Sequence, residues 1–74
     1  MTWAQLTNHR KRLNLTEVEM ARLVIGCSNV STYTGWNTRN KIPTYAIYAV
    51  EHFMLLAPRE QQWLMSQRRK ECGL

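Results

Sequence analysis

From Asn29 to Thr38 the chain carries Asn29, Ser31, Thr32, Thr34, Asn37 and Thr38 and no charged side chain. Hydroxyls and amides can bond phosphate oxygens, base edges or water. Val30, Tyr33 and Trp36 recur among them at i, i+3, i+6, which predicts a helix with a narrow inward stripe and polar groups to its sides. A merely solvated helix more often uses Glu, Lys and Gln, whereas Ser, Thr and Asn favour caps and turns. A groove lined with hydrogen-bonding edges explains this choice better than solvent does. Asn29, Ser31, Thr32 and Thr34 are the candidate base-edge contacts. With no Arg, Gln or Asn at its centre, the segment lacks the strongest bidentate readers, so shape and bridging water would carry part of any discrimination. Arg39 and Lys41 follow in what reads as a polar loop and suit phosphates, with Thr38 beside them.

Other chemistry finds little support. His9 and His52 have no Cys, Ser or carboxylate at nucleophile or metal spacing, so no catalytic residue, metal, cofactor or small-molecule ligand is expected. Cys27 and Cys72 form no CxxC pair and read as reduced thiols, with Cys27 partly buried in a turn. Tyr33 and Trp36 could stack on unpaired bases, but their spacing with Val30 favours the core. The 74 residues bound one domain, residues 1–74, near the lower size limit for unaided folding. A formal net charge of +5 favours a polyanionic partner, against the plainer reading of a soluble basic surface. No basic-then-apolar leader opens at Met1 and no apolar run approaches the ~20 residues of a membrane span. The expectation is a cytoplasmic protein without a membrane partner.

The elements that must position these groups are legible as five helices. The first starts at Thr2, with Gln5 as capping-box partner and Trp3, Leu6 and Leu13 as apolar marks. His9, Arg10, Lys11 and Arg12 crowd its last turn, and Asn14 breaks it. The second is capped by Thr16 with Glu19, shows an apolar face of Met20, Leu23 and Val24 with small Ala21 beside it, and ends at Gly26. The third is capped by Ser28 or Asn29 and ends at Trp36. Its Gly35, which costs ~1 kcal/mol against Ala, marks a close approach to nucleic-acid backbone or to a neighbouring helix. Ile42-Pro43 leads into a fourth helix from about Thr44 to Leu56, with Tyr45, Ala46, Ala49, Val50 and Phe53 on one face. A fifth runs from Pro58 to about Lys70, with Trp63, Leu64 and Met65 as apolar marks. Its Arg68-Arg69-Lys70 tail suits either dipole compensation or a second phosphate site.

The segment from Arg10 to Val24, followed by Gly26, Trp36 and Ile42-Pro43, resembles the Cro/cI-type helix-turn-helix family of phage and bacterial regulators. The match covers roughly residues 6 to 56. It rests on Leu13, Leu15-Thr16, Glu19-Met20-Ala21 and the step from Trp36 to Pro43. The resemblance implies an all-α, five-helix, lambda-repressor-like domain with its helix-turn-helix at about 16–38. It implies that the third helix enters the major groove of double-stranded DNA, that Thr16 binds phosphate through its side chain and free N–H groups, and that Arg39, Lys41 and Tyr45 flank the backbone. Ser31 and Thr34 match positions that reach base edges. The chain departs from the family in having Glu17 where Gln is usual, Asn37 where an acid would pair with Arg10, and about one extra residue between Gly26 and Trp36. That residue alters the rotation of the third helix.

Two functions fit these residues. One is a homodimeric, sequence-specific regulator of phage or mobile-element type, a repressor acting at an inverted repeat in the nucleoid of a bacterial host. The other is a protein-interaction module on the same fold, an antirepressor or an inhibitor of a host protein. Helices 44–70 carry more apolar residues than a four-helix core needs. A twofold dimer through Tyr48, Met54, Leu55, Trp63 and Leu64 is expected.

Overall fold

The computed structural model describes residues 1–73, which form helices joined by short turns and irregular links, with no strand. In chain order the elements are α1 (Trp3–Arg12), α2 (Glu17–Glu19, continuing as a π-helix over Met20–Ile25), α3 (Val30–Arg39), α4 (Thr44–Leu55) and α5 (Pro58–Cys72). They fold into a body of 32 × 24 × 20 Å.

Both expected capping boxes form. Gln5 N–H donates to Thr2 Oγ1 at 3.2 Å while Thr2 N–H donates to Gln5 Oε1 at 2.9 Å. Glu19 N–H donates to Thr16 Oγ1 at 3.2 Å and Thr16 N–H to Glu19 Oε1 at 2.9 Å. Asn14 takes the left-handed conformation (φ 57°) that separates α1 from α2, a conformation Asn tolerates better than most residues.

The π-helical part of α2 is the hub. Of its six residues only Arg22 is not buried; Met20, Ala21, Leu23, Val24 and Ile25 are shielded by α3, α4 and α5. The rest of the core comes from Leu6 of α1, Tyr33 and Trp36 of α3, Ala46, Val50 and Phe53 of α4, and Met65 of α5. The core therefore needs all five helices, not the four expected. A stretch of i→i+5 turns is rare. Here it brings the end of α2 into the interior, where free carbonyls need partners. Gly26, in the left-handed region at φ 86°, turns its N–H back to Ala21 O, and Cys27 N–H reaches the same oxygen at 2.7 Å. Arg68 of α5 takes two further carbonyls, donating from Nη1 to Leu23 O and, at 3.2 Å, to Val24 O.

Of the α5 tail, Arg68 and Arg69 are engaged within the fold, and only Lys70 is left exposed. Arg68 caps α2, and Arg69 Nη2 lies 2.7 Å from Glu19 Oε2. The Glu19 carboxyl titrates below its ordinary value, chiefly because it accepts the Thr16 N–H, with Arg69 adding to the effect. Gln61, at the start of α5, does similar work for α4, its Nε2 donating to Phe53 O at 3.0 Å near the end of that helix.

Arg68→Ala should cost about 1.5–3 kcal/mol, the range for hydrogen bonds from a charged donor to buried acceptors. Arg69→Ala, which breaks a half-exposed pair, should cost less than about 1 kcal/mol. Urea midpoints compare the two, and equal losses would remove Arg68 from its capping role.

Candidate nucleic-acid interface

The turn before α3 is built from its ends inward. Asn29, and not Ser28, is the N-cap: its Oδ1 accepts the Ser31 N–H at 2.9 Å. Cys27 is buried and its thiol donates to Asn29 O at 3.2 Å, which holds the turn against the body. Inside, Tyr33 and Trp36 are fully or almost fully buried, and Val30 is half-buried. An aromatic ladder runs Trp3–Tyr33–Trp36–Tyr45, with ring centroids 5.1, 5.6 and 6.2 Å apart, tying α1, α3 and α4 together. Trp3, which the sequence left unplaced, thus covers the core, and stacking of Tyr33 or Trp36 on bases is ruled out by burial.

Helix α3 runs on to Arg39, one turn past the expected end at Trp36, so Thr38 and Arg39 are helical and not in a loop. Asn40 closes it in the left-handed conformation (φ 51°), and Lys41 N–H returns to Trp36 O at 3.1 Å. Lys41 is the exposed cation of the loop that follows.

Opposite Tyr33 and Trp36 lies an outward face centred on Ser31, Gly35 and Thr38, spaced i, i+4, i+7. Asn29, Ser31, Thr32, Thr34, Asn37, Thr38 and Arg39 are all exposed. Ser31, Thr32, Gly35, Thr38 and Arg39 line one shallow hollow there. The extra residue between Gly26 and Trp36 therefore leaves Ser31 and Thr32 on the outward side. Two of the four predicted base contacts are partly committed: Asn29 spends its carbonyl on the cap, and Thr34 Oγ1 donates to Ser31 O at 3.2 Å. The neighbouring-helix explanation of Gly35 fails, because a Cβ built there would meet only Arg39 atoms within 4 Å.

Thr16 is exposed at the start of α2, but its N–H is bonded to Glu19, so its hydroxyl proton is the donor left for a phosphate. Glu17 is exposed next to it. Arg10, deprived of an acid at position 37, donates instead to Leu15 O at 2.8 Å. Tyr45 is 55% exposed; its hydroxyl, partly desolvated and beside the Cys27 thiol, titrates above the ordinary tyrosine value.

Of the expected dimer contacts, Tyr48, Leu55 and Trp63 are 57%, 83% and 64% exposed, whereas Met54 and Leu64 are half-buried against the core. Leu56, Arg59, Glu60, Trp63 and Leu64 line a mainly apolar groove. Cys27 and Cys72 are free thiols that border one hollow with Arg22, Gly26 and Ser28. Among the described residues no three His, Cys, Asp or Glu side chains gather as a metal site. Among the described residues no helix is long and apolar enough to cross a membrane. No protein-family model, curated protein or solved structure matches this chain.

The Tyr33 hydroxyl is buried without a hydrogen-bond partner. Burial pushes its pKa from 10.0 up to about 12, against the pull of nearby Arg10 and with a smaller push from Glu17. The folded state therefore holds this proton longer than the unfolded chain does. The associated stability is present in full below pH 10 and is lost as pH rises towards about 12. Tyr33→Phe should raise stability by about 1 kcal/mol at neutral pH, since it removes an unsatisfied buried group. It should also flatten the alkaline fall. Thermal melts at pH 7 and across the alkaline limb check both parts; a destabilised Phe variant would mean that the hydroxyl has a partner.

Proposed function

We propose that this chain is a sequence-specific double-stranded DNA-binding regulator, a homodimeric repressor that lays α3 in the major groove. The observation that carries this reading is the outward face of α3. It combines exposed hydroxyls and amides with one guanidinium and no carboxylate, along the length of an aromatic-buttressed helix. A helix of that width fits the major groove, and its single polar groups match base edges. Helix α2, the Gly26–Asn29 turn and α3 then form the helix-turn-helix pair, with the Thr16 hydroxyl and Lys41 at the phosphates. Tyr45, 55% exposed and packed edge-on against Trp36, would join these phosphate contacts.

A single 74-residue domain makes few base contacts, and pairing two raises affinity through effective concentration. The surface around Leu55 and Trp63 suits a second copy. The groove there is mainly apolar and is lined by one base, Arg59, and one acid, Glu60, whose Oε1 also accepts the Ala57 N–H at 3.1 Å, so it has the makings of a self-complementary patch.

Selection from a randomised duplex pool should return a recurring inverted repeat, bound with an affinity that falls steeply as salt rises. Ser31→Ala should weaken that duplex more than unrelated ones, by about 1–3 kcal/mol if its base contact is a good one. Lys41→Ala should weaken all duplexes and make the salt slope shallower by about one. Glu17→Gln should strengthen binding to every duplex, because it removes a negative charge from the phosphate side. Salt-insensitive or undetectable binding to all duplexes would sink the reading and favour a protein-interaction module.

Leu55→Glu should give a folded monomer in sedimentation that has lost most affinity for the selected repeat. A wild-type chain that stays monomeric at high micromolar concentration would count against the twofold surface.

A further inference from the structure

The middle of the outward face of α3 is a glycine lying under an arginine. Side chains on a helix lean toward its N-terminus, so Arg39, the last residue of α3, is carried back over the preceding turn. A Cβ at Gly35 would stand 3.4 Å from Arg39 Nη2 and 3.9 Å from Cζ, and would touch nothing else within 4 Å. An alanine methyl would meet this guanidinium in ordinary van der Waals contact, so what the glycine leaves open is the outer side, to whatever approaches the guanidinium, at a position where Ala would favour the helix. Arg39 has no ion-pair partner among the described residues, whose one salt bridge joins Arg69 to Glu19. Ser31, Thr32 and Thr38 surround it in the same hollow, with no carboxylate.

Arg39 alone on this face offers a rigid fork of paired N–H donors. Such a fork matches two adjacent acceptors, as in a phosphate or the N7/O6 edge of guanine. Position decides between them. Phosphates lie along the walls of a groove, whereas the outward stripe of a helix in the groove faces the base edges on its floor. The guanidinium reaches the level of Gly35, midway along α3, while Arg39 also borders a second hollow with Trp36, Lys41 and Pro43 past the helix end. We infer that Arg39, folded back over Gly35, reads a guanine through its major-groove edge, so that each half-site contains a G·C pair opposite the middle of α3. This rests on the reading of α3 as a groove helix, and it replaces the phosphate role expected for Arg39 from sequence.

The test uses the duplex selected by the wild-type chain, with each guanine replaced in turn by 7-deazaguanine, which lacks the N7 acceptor but pairs normally. One guanine in each half-site should prove sensitive, its replacement weakening wild-type binding about 5- to 150-fold. The same replacement should cost Arg39→Ala nothing further, because the lost contact is shared. Gly35→Ala should melt no lower than wild type yet bind the selected duplex more weakly, with unrelated duplexes little affected. A selected duplex whose guanines are all indifferent to Arg39 overturns the inference alone, as does an Arg39→Ala loss that is equal on every duplex with a salt slope shallower by about one. Failure of the wild-type chain to select any sequence overturns the groove reading of α3 and this inference together.

Discussion

A helix that ends inside a small core must find partners for its last carbonyls, and the Arg68 guanidinium meets that demand on Leu23 and Val24. An open carbonyl in that position would cost as much as several favourable contacts contribute. The bond also fastens α5, whose only buried residue is Met65, to the hub of the fold. Arg69 on Glu19 and Gln61 on Phe53 O bind the same helix at further points. Without α5 the π-helical end of α2 would be left with unsatisfied backbone and a thinner apolar cover.

The geometry of α3 follows from that anchored end. Gly26 and Cys27 both return their N–H groups to Ala21 O, so the direction of the turn depends on where α2 stops. Asn29 then starts α3, and Tyr33 and Trp36 lock its rotation against Trp3 and Tyr45. The buried Tyr33 hydroxyl has no partner, a cost carried by the ring packing around it. What is left outside is a face with small, single hydrogen-bonding groups and a glycine at its centre, a surface adapted to close approach.

The charge of the chain is less freely available than its count suggests. Of ten Lys and Arg residues, Arg10 is bonded to Leu15 O, Arg68 to α2 and Arg69 to Glu19. Arg39 and Lys41 stay exposed at the end of α3, and Lys11 and Arg12 at the end of α1. A basic isoelectric point thus has two physical sources here, internal capping of carbonyls and an outward field, and only the second can steer a polyanion.

Local signals in the sequence determined the existence and starts of the helices. Thr2 with Gln5 and Thr16 with Glu19 are reciprocal pairs that form within one turn, and Asn14 and Gly26 are suited to left-handed breaks, so no distant residue is needed to read them. The stripe of Tyr33 and Trp36 likewise declared the inner side of α3, because burial and periodicity are one property there. Tertiary structure decided the rest. The π-helical widening of α2 depends on three helices closing around it, and Arg68 reaches it across 44 and 45 positions of sequence, which no local pattern encodes. Arg39 looked like a loop cation because Asn37 and Thr38 are weak helix formers. The chain instead continues to Asn40, where the turn back to Trp36 O can close, and this extra turn places the guanidinium over Gly35.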